Sequence, residues 1–79
     1  MDTVTESIEE ARRLLEQGKQ RKASEILTLA AYDTQDTSKL AIIRSLALQG
    51  KEREGRFTRG RWDEAIRVSE KRLEAQPLA

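Results

Sequence analysis

The chain has 79 residues, 37% hydrophobic and 37% charged, with a formal net charge of +1 and neither Cys nor His. The missing residue types exclude disulfides, thiolate metal sites and imidazole ligands or bases. The length allows a single domain, and periodic apolar residues with a net charge near zero argue against disorder.

A core this small contributes only about 3–5 kcal/mol net, so regular helices or association with other chains are the expected supports. No apolar run reaches the ~18 residues that a membrane span needs, and no signal-peptide pattern opens the chain. A cytoplasmic location without membrane contact is therefore expected.

The first helix is predicted over 3–17. Val4, Ile8, Ala11 and Leu15 recur at steps of four, three and four, marking one face of a helix. Thr3 and Glu6 have the spacing of a capping box. Glu6, Glu9 and Glu10 fall in the early turns, where they favour the helix dipole, and Gly18 is a natural stop.

The second helix is predicted over 20–32. Its main stripe is Ala23, Ile26, Leu27 and Ala30, widened by Leu29 and Tyr32. The run Asp33 to Ser38 reads as a loop, with Asp36, Thr37 or Ser38 capping the next helix.

The third helix is predicted over 38–57. Leu40, Ala41, Ile42, Ile43, Leu46, Ala47 and Leu48 surround it almost completely, the pattern of a buried helix. The alternative is one face for the core and one for a partner. Beyond Leu46, Gly50, Arg53 or Glu54, and Phe57 continue one side. Gly50, which costs about 1 kcal/mol against Ala within a helix, is expected to admit a neighbouring helix closely. Gly55 is the place for a kink, and Gly60 fits a tight turn.

The fourth helix is predicted over 63–75 with Asp63 as its N-cap. Trp62, Ile66, Ser69 and Leu73 line one side, near Ala65 and Val68, and Pro77 ends it. The expected fold is all-α, a compact antiparallel four-helix bundle. Residues 1–76 form one interaction domain, and 77–79 open a linker or tail.

No catalytic constellation stands out. Ser24, Ser45 and Ser69 have no His to activate them, and Glu9, Glu10, Asp63 and Glu64 are explained by helix starts. The glycines of 50–60 lack the Lys-Ser/Thr ending of a phosphate loop. The expectation is a non-enzyme that needs no metal or cofactor.

Charge is unevenly spread. Residues 1–16 have a net charge of −3 and residues 51–62 a net charge of +3. Such separation suits head-to-tail docking of one copy on another. The candidate interaction residues are Glu6, Glu9 and Glu10 on the acidic side, with Lys51, Arg53, Arg56, Arg59 and Arg61 on the basic side. The plainer reading is a set of solvated helix faces with local pairs. Nucleic-acid binding by the basic stretch with Phe57 and Trp62 is a competitor, but Glu52 and Glu54 interrupt the patch and the domain is not basic overall.

Two resemblances add to this. "GKQRKASEILTLA" from Gly18 and "GRWDEAIRVSEKRL" from Gly60 each place Ala five residues after Gly, as in the second helix of a tetratricopeptide repeat. Ala23 and Ala65 lie 42 positions apart, against a repeat of about 34, so the similarity is to a helical hairpin. It implies a peptide-binding scaffold.

The wider resemblance covers residues 11–30 and 39–75. "ARRLLEQGKQRKASEILTLA" and "KLAIIRSLALQGKEREGRFTRGRWDEAIRVSEKRLEA" are similar to effector-associated, death-like adaptor domains of bacterial conflict systems. In these a Gly-joined helical pair precedes a long helix with a Glu-Arg run, a Gly-containing turn and a last helix with an acidic start. Gly50, Gly55 and Trp62 depart from that pattern. The resemblance implies an adaptor that pairs with a like domain or itself and recruits an effector or sensor. With Met1 in front and "QPLA" behind, the chain would be the amino-terminal piece of a longer protein.

Overall fold

Local signals start and stop the helices. In the computed structural model, which describes residues 2–54 and 62–75, the chain is all-α and forms a four-helix bundle: α1 Thr3–Glu16, α2 Gln20–Asp33, α3 Thr37–Glu52 and α4 Trp62–Ala75.

Asp2 caps α1, its carboxylate accepting from the Thr5 amide at 2.7 Å. The expected capping box of Thr3 and Glu6 does not form. Asp2 is extended and supplies the acceptor, which places Thr3 inside the helix. At the other end Gly18 takes φ +79. Its amide donates to Leu15 O and that of Lys19 to Leu14 O, at 3.1 and 2.9 Å, the paired bonds of a Schellman stop. Asp36 caps α3, accepting from the Ser38 amide at 2.9 Å.

The third helix ends at Glu52, five residues short of the prediction. Arg53 has φ −92 and ψ 0, and the Glu54 amide donates to Lys51 O, a tightened last turn. Trp62 at the head of α4 lies against Gly50, in the last turn of α3. Phe57, Gly55 and Gly60 lie outside the described residues. The fourth helix begins at Trp62, so Asp63 stands in its first turn rather than capping it.

Two antiparallel hairpins, α1–α2 and α3–α4, lie side by side. α2 packs on all three other helices, and α1 and α4 do not pack on each other. α2 and α4 run parallel. Trp62 Nε1 donates to Gln20 Oε1 at 3.2 Å where both helices begin, and Arg72 donates to Thr34 O at 2.9 Å where both end. The radius of gyration, 11.9 Å, is near the ~12 Å of a compact chain of this length.

The core contains Ile8, Ala11, Leu14 and Leu15 of α1, Ala23, Leu27, Ala30 and Ala31 of α2, Leu40, Ile43, Leu46 and Ala47 of α3, and Trp62, Ala65 and Val68 of α4. Val4, Ile26, Ile66 and Leu73 pack on its edge, half-buried. Two predicted faces are corrected. Leu29 and Tyr32 do not widen the buried stripe of α2; they are 65% and 51% exposed. α3 is not enclosed: Ala41 and Ile42 face outward. At about 100° per residue, Ile42 falls some 200° from Leu40, and Leu29 the same from Leu27. A two-layer arrangement covers only one side of each helix.

Candidate interaction surfaces

Among the described candidates, Glu6, Glu9 and Glu10 lie on the first half of α1, and Lys51 and Arg53 at the close of α3. Lys39, near the start of α3, bonds Asp2 at 2.5 Å and ties that end of α3 to the start of α1. Lys51 lies twelve residues further along α3, about 18 Å at 1.5 Å per residue. α1 and α3 both run opposite to α2, so the first turns of α1 and the last turn of α3 point to different ends.

At the acidic end, Glu6, Glu9 and Glu10 come together. They line an open groove of about 410 Å³ with Arg13, and Ile26 of α2 contributes its apolar side. Glu10 is half-buried and paired with Arg13 one turn later. Glu6 and Glu9 are exposed and have no ion-pair partner among the described residues. The groove therefore presents at least two uncompensated carboxylates beside an apolar floor. A Lys or Arg stem can lie along such a floor while its head reaches the carboxylates.

At the basic end the structure alters one candidate. Lys51 pairs with Asp63 of α4, and this hydrogen bond raises its pKa above the ordinary 10.5. Part of its charge is thereby compensated inside the chain. Arg53 closes α3 and is exposed. Arg56, Arg59 and Arg61 lie outside the described residues, so the basic set is located only through Lys51 and Arg53.

Several polar contacts anchor these ends. The Asp2 carboxyl is held down at about 2 by its bond with Lys39 and then by the Thr5 amide. The same pair raises the Lys39 pKa. The Ser38 hydroxyl and amide lower that of Asp36. Arg44 of α3 bonds Glu70 of α4 at 3.0 Å. The Asp2–Lys39, Lys51–Asp63 and Arg44–Glu70 pairs are not legible from i,i+4 spacing, because each joins separate elements.

A second surface lies along α2 and α4. Glu25, Thr28, Leu29 and Tyr32 of α2 with Glu64 of α4 line a groove of about 350 Å³. Tyr32 also borders an adjoining hollow with Arg67, Val68, Lys71 and Arg72 of α4. Among the described residues, no three His, Cys, Asp or Glu side chains are placed to hold a metal ion. No described helix is long and apolar enough to cross a membrane.

No protein-family model, curated protein or solved structure matches the chain.

Proposed function

We propose that this chain is a protein-interaction module without catalytic chemistry of its own. It recruits an effector or a sensor by pairing with a like domain or with itself, in the manner of the adaptor domains of bacterial conflict systems that its helix-turn pattern resembles. The observation that carries the reading is the clustering of Glu6, Glu9 and Glu10 in one groove, on the first half of α1 and away from Lys51 and Arg53. Glu6 and Glu9 have no ion-pair partner among the described residues. Between chains they attract the basic residues of a second copy, and steer the encounter.

Charge reversal tests this. Glu6→Lys with Glu9→Lys, and separately Arg56→Glu with Arg59→Glu, are each expected to abolish association in light scattering or pull-down. Mixing the two variants restores one contact of each docked pair. Association that survives both reversals unchanged refutes the charge model.

A second reading is a tetratricopeptide-like scaffold that binds a peptide of another protein. The side-by-side stacking of two antiparallel hairpins, with α2 parallel to α4, favours it. It predicts saturable binding of an unrelated peptide by a chain that stays monomeric.

A further inference from the structure

We propose that Lys19 and Lys22, at the start of α2, form a cationic docking contact for the Glu6–Glu9 groove of a second copy of this chain. The contact belongs to the charge-docked pairing proposed above, on which it rests, and adds residues to its basic side.

The start of α2 is built against its own dipole. A helix N-terminus favours acidic residues and disfavours bases. α1 begins with the Asp2 cap and Glu6, α3 with the Asp36 cap, and α4 with Asp63 and Glu64 in its first turn. α2 begins with Lys19 in the cap position, without a side-chain cap bond, and has no acidic residue in its first turn. Arg21 and Lys22 stand there instead. Lys19 and Lys22 are exposed and have no ion-pair partner among the described residues. Nothing local rewards these charges, and a rule broken without internal compensation is expected where a chain meets something else.

The placement of the two lysines selects what they meet. Lys22 and Lys19 precede Ile26 by four and seven residues, so they share its edge of α2. Ile26 lines the groove with Glu6, Glu9 and Glu10. One edge of the α1–α2 hairpin thus carries carboxylates along the first half of α1 and lysines at the turn. Glu6 and Gln17, where the turn begins, are about 17 Å apart along the helix. Residues 2–10 contain Asp2, Glu6, Glu9 and Glu10 and no base. Residues 12–25 contain Arg12, Arg13, Lys19, Arg21 and Lys22 against Glu16 and Glu25.

Two copies laid antiparallel along this edge bring the lysines of each onto Glu6 and Glu9 of the other, and the contact closes on itself. A polyanion such as nucleic acid fits less well. The chain has a net charge of only +1, and the carboxylates on the same edge would repel it. The basic candidates of α3 lie at the same end as the lysines. Gln20, beside Lys19, bonds Trp62, which lies against Gly50 in the last turn of α3. Lys19 and Lys22 therefore extend the basic side that Lys51 and Arg53 begin.

The test is a charge reversal that should strengthen the fold while it removes the contact. Lys19→Glu with Lys22→Glu places acids at the start of α2. Its thermal midpoint, measured where the chain is monomeric, is expected to rise. Its self-association, in a sedimentation-equilibrium concentration series, is expected to be lost. Mixing it with Glu6→Lys plus Glu9→Lys should recover a heterodimer, since both contacts regain opposite charges. Arg12→Glu with Arg21→Glu makes the same change in net charge off this edge and should leave association in place. Arg21 lies about 140° round α2 from Ile26, and Arg12 about 160° round α1 from Glu10.

Association unchanged in the Lys19 and Lys22 variant, but lost on reversing Glu6 and Glu9 or Arg56 and Arg59, would overturn this contact and leave the pairing above standing. A wild type monomeric at all concentrations, or association that survives every reversal, would sink both. The contact also fails if the mixture does not recover, or if Arg12 and Arg21 matter as much as the lysines. A loss of association that comes with a lower thermal midpoint, or lysines that bind duplex DNA in place of a second copy, would equally rule it out.

Discussion

Gly50 of α3 and Trp62 of α4 are packed so closely that no side chain fits between them. A Cβ on Gly50 would lie 2.3 Å from Cε2 and 2.4 Å from Cζ2 of the Trp62 ring, far inside the ~3.5–4 Å of ordinary carbon contact. The indole is fully buried and held by its bond to Gln20, so it cannot swing aside. The glycine that looks like a flaw in an otherwise good helix is what lets α4 seat against α3.

Gly50→Ala should therefore destabilise the protein, although Ala is the better helix former by about 1 kcal/mol. Overpacking typically costs about 1–3 kcal/mol. In this case the overlap is with a rigid ring, so overpacking prevails. Urea unfolding should show a lower midpoint, and in a Trp62→Phe background the same change should cost less, because the atoms it strikes are gone. A Gly50→Ala variant at least as stable as wild type would show that the two helices are not held at this separation.

Trp62→Phe alone should lose stability on two counts. It vacates part of the core, and it leaves the buried Gln20 Oε1 without its donor, a desolvated acceptor costing about 1–3 kcal/mol. Gln20→Leu in the same background should recover part of the loss, since removing both partners spares the unpaired polar atom. Thermal unfolding of the three variants measures this. Trp62 is the only tryptophan, so its emission should also shift to the red as the wild type unfolds.

Arg72→Ala should loosen the joint between α2 and α3. The Arg72 guanidinium donates to Thr34 O through Nε at 3.3 Å and a terminal nitrogen at 2.9 Å. The side chain is only half-buried, so water can replace part of the bond, and a loss of about 1 kcal/mol is expected. Hydrogen exchange should quicken at the last turn of α2 and the first of α3 ahead of the rest. Uniform loss of protection would mean that Arg72 has no local role.

The Asp2–Lys39 pair should make stability depend on pH at both extremes. The folded Asp2 carboxyl sits at about 2 against an ordinary 3.8. A depressed carboxyl contributes stability that is complete above its unfolded value and is lost as pH falls through its folded one. The thermal midpoint should thus drop between about pH 4 and pH 2, with Asp36, lowered as well, adding to the drop. Asp2→Asn keeps a capping acceptor but should lose the Asp2 share, flattening the acid limb. Lys39 and Lys51 are raised above 10.5. Their contributions are complete below that value and lost as pH rises through the folded ones. An unchanged acid limb in Asp2→Asn would show that the pair does not persist in solution.

Much of this fold can be read along the chain. Steps of three and four place four helices within a residue or two at most ends; Gly18 is identifiable as a stop, and the cap of α3 is narrowed to Asp36, Thr37 or Ser38, of which the structure uses Asp36. Gly50 is legible as a point of close approach because a glycine inside a helix needs a reason. Local physics suffices for these features: dihedral preference, capping and periodicity act over one or two turns.

The remaining features depend on residues distant in sequence. The end of α3 is hidden in the sequence because Phe57 continues the apolar spacing beyond the point where the helix stops. Leu29, Tyr32 and Ile42 read as core because apolar character does not say how many sides of a helix are covered. The clustering of Glu6, Glu9 and Glu10 is implicit in their helical spacing. Their distance from Lys51 and the capture of Lys51 by Asp63 are not, because each depends on which helix lies beside which. Sequence by itself determined the helices and their charges; tertiary packing decided which charges are paired within the chain and which remain for a partner.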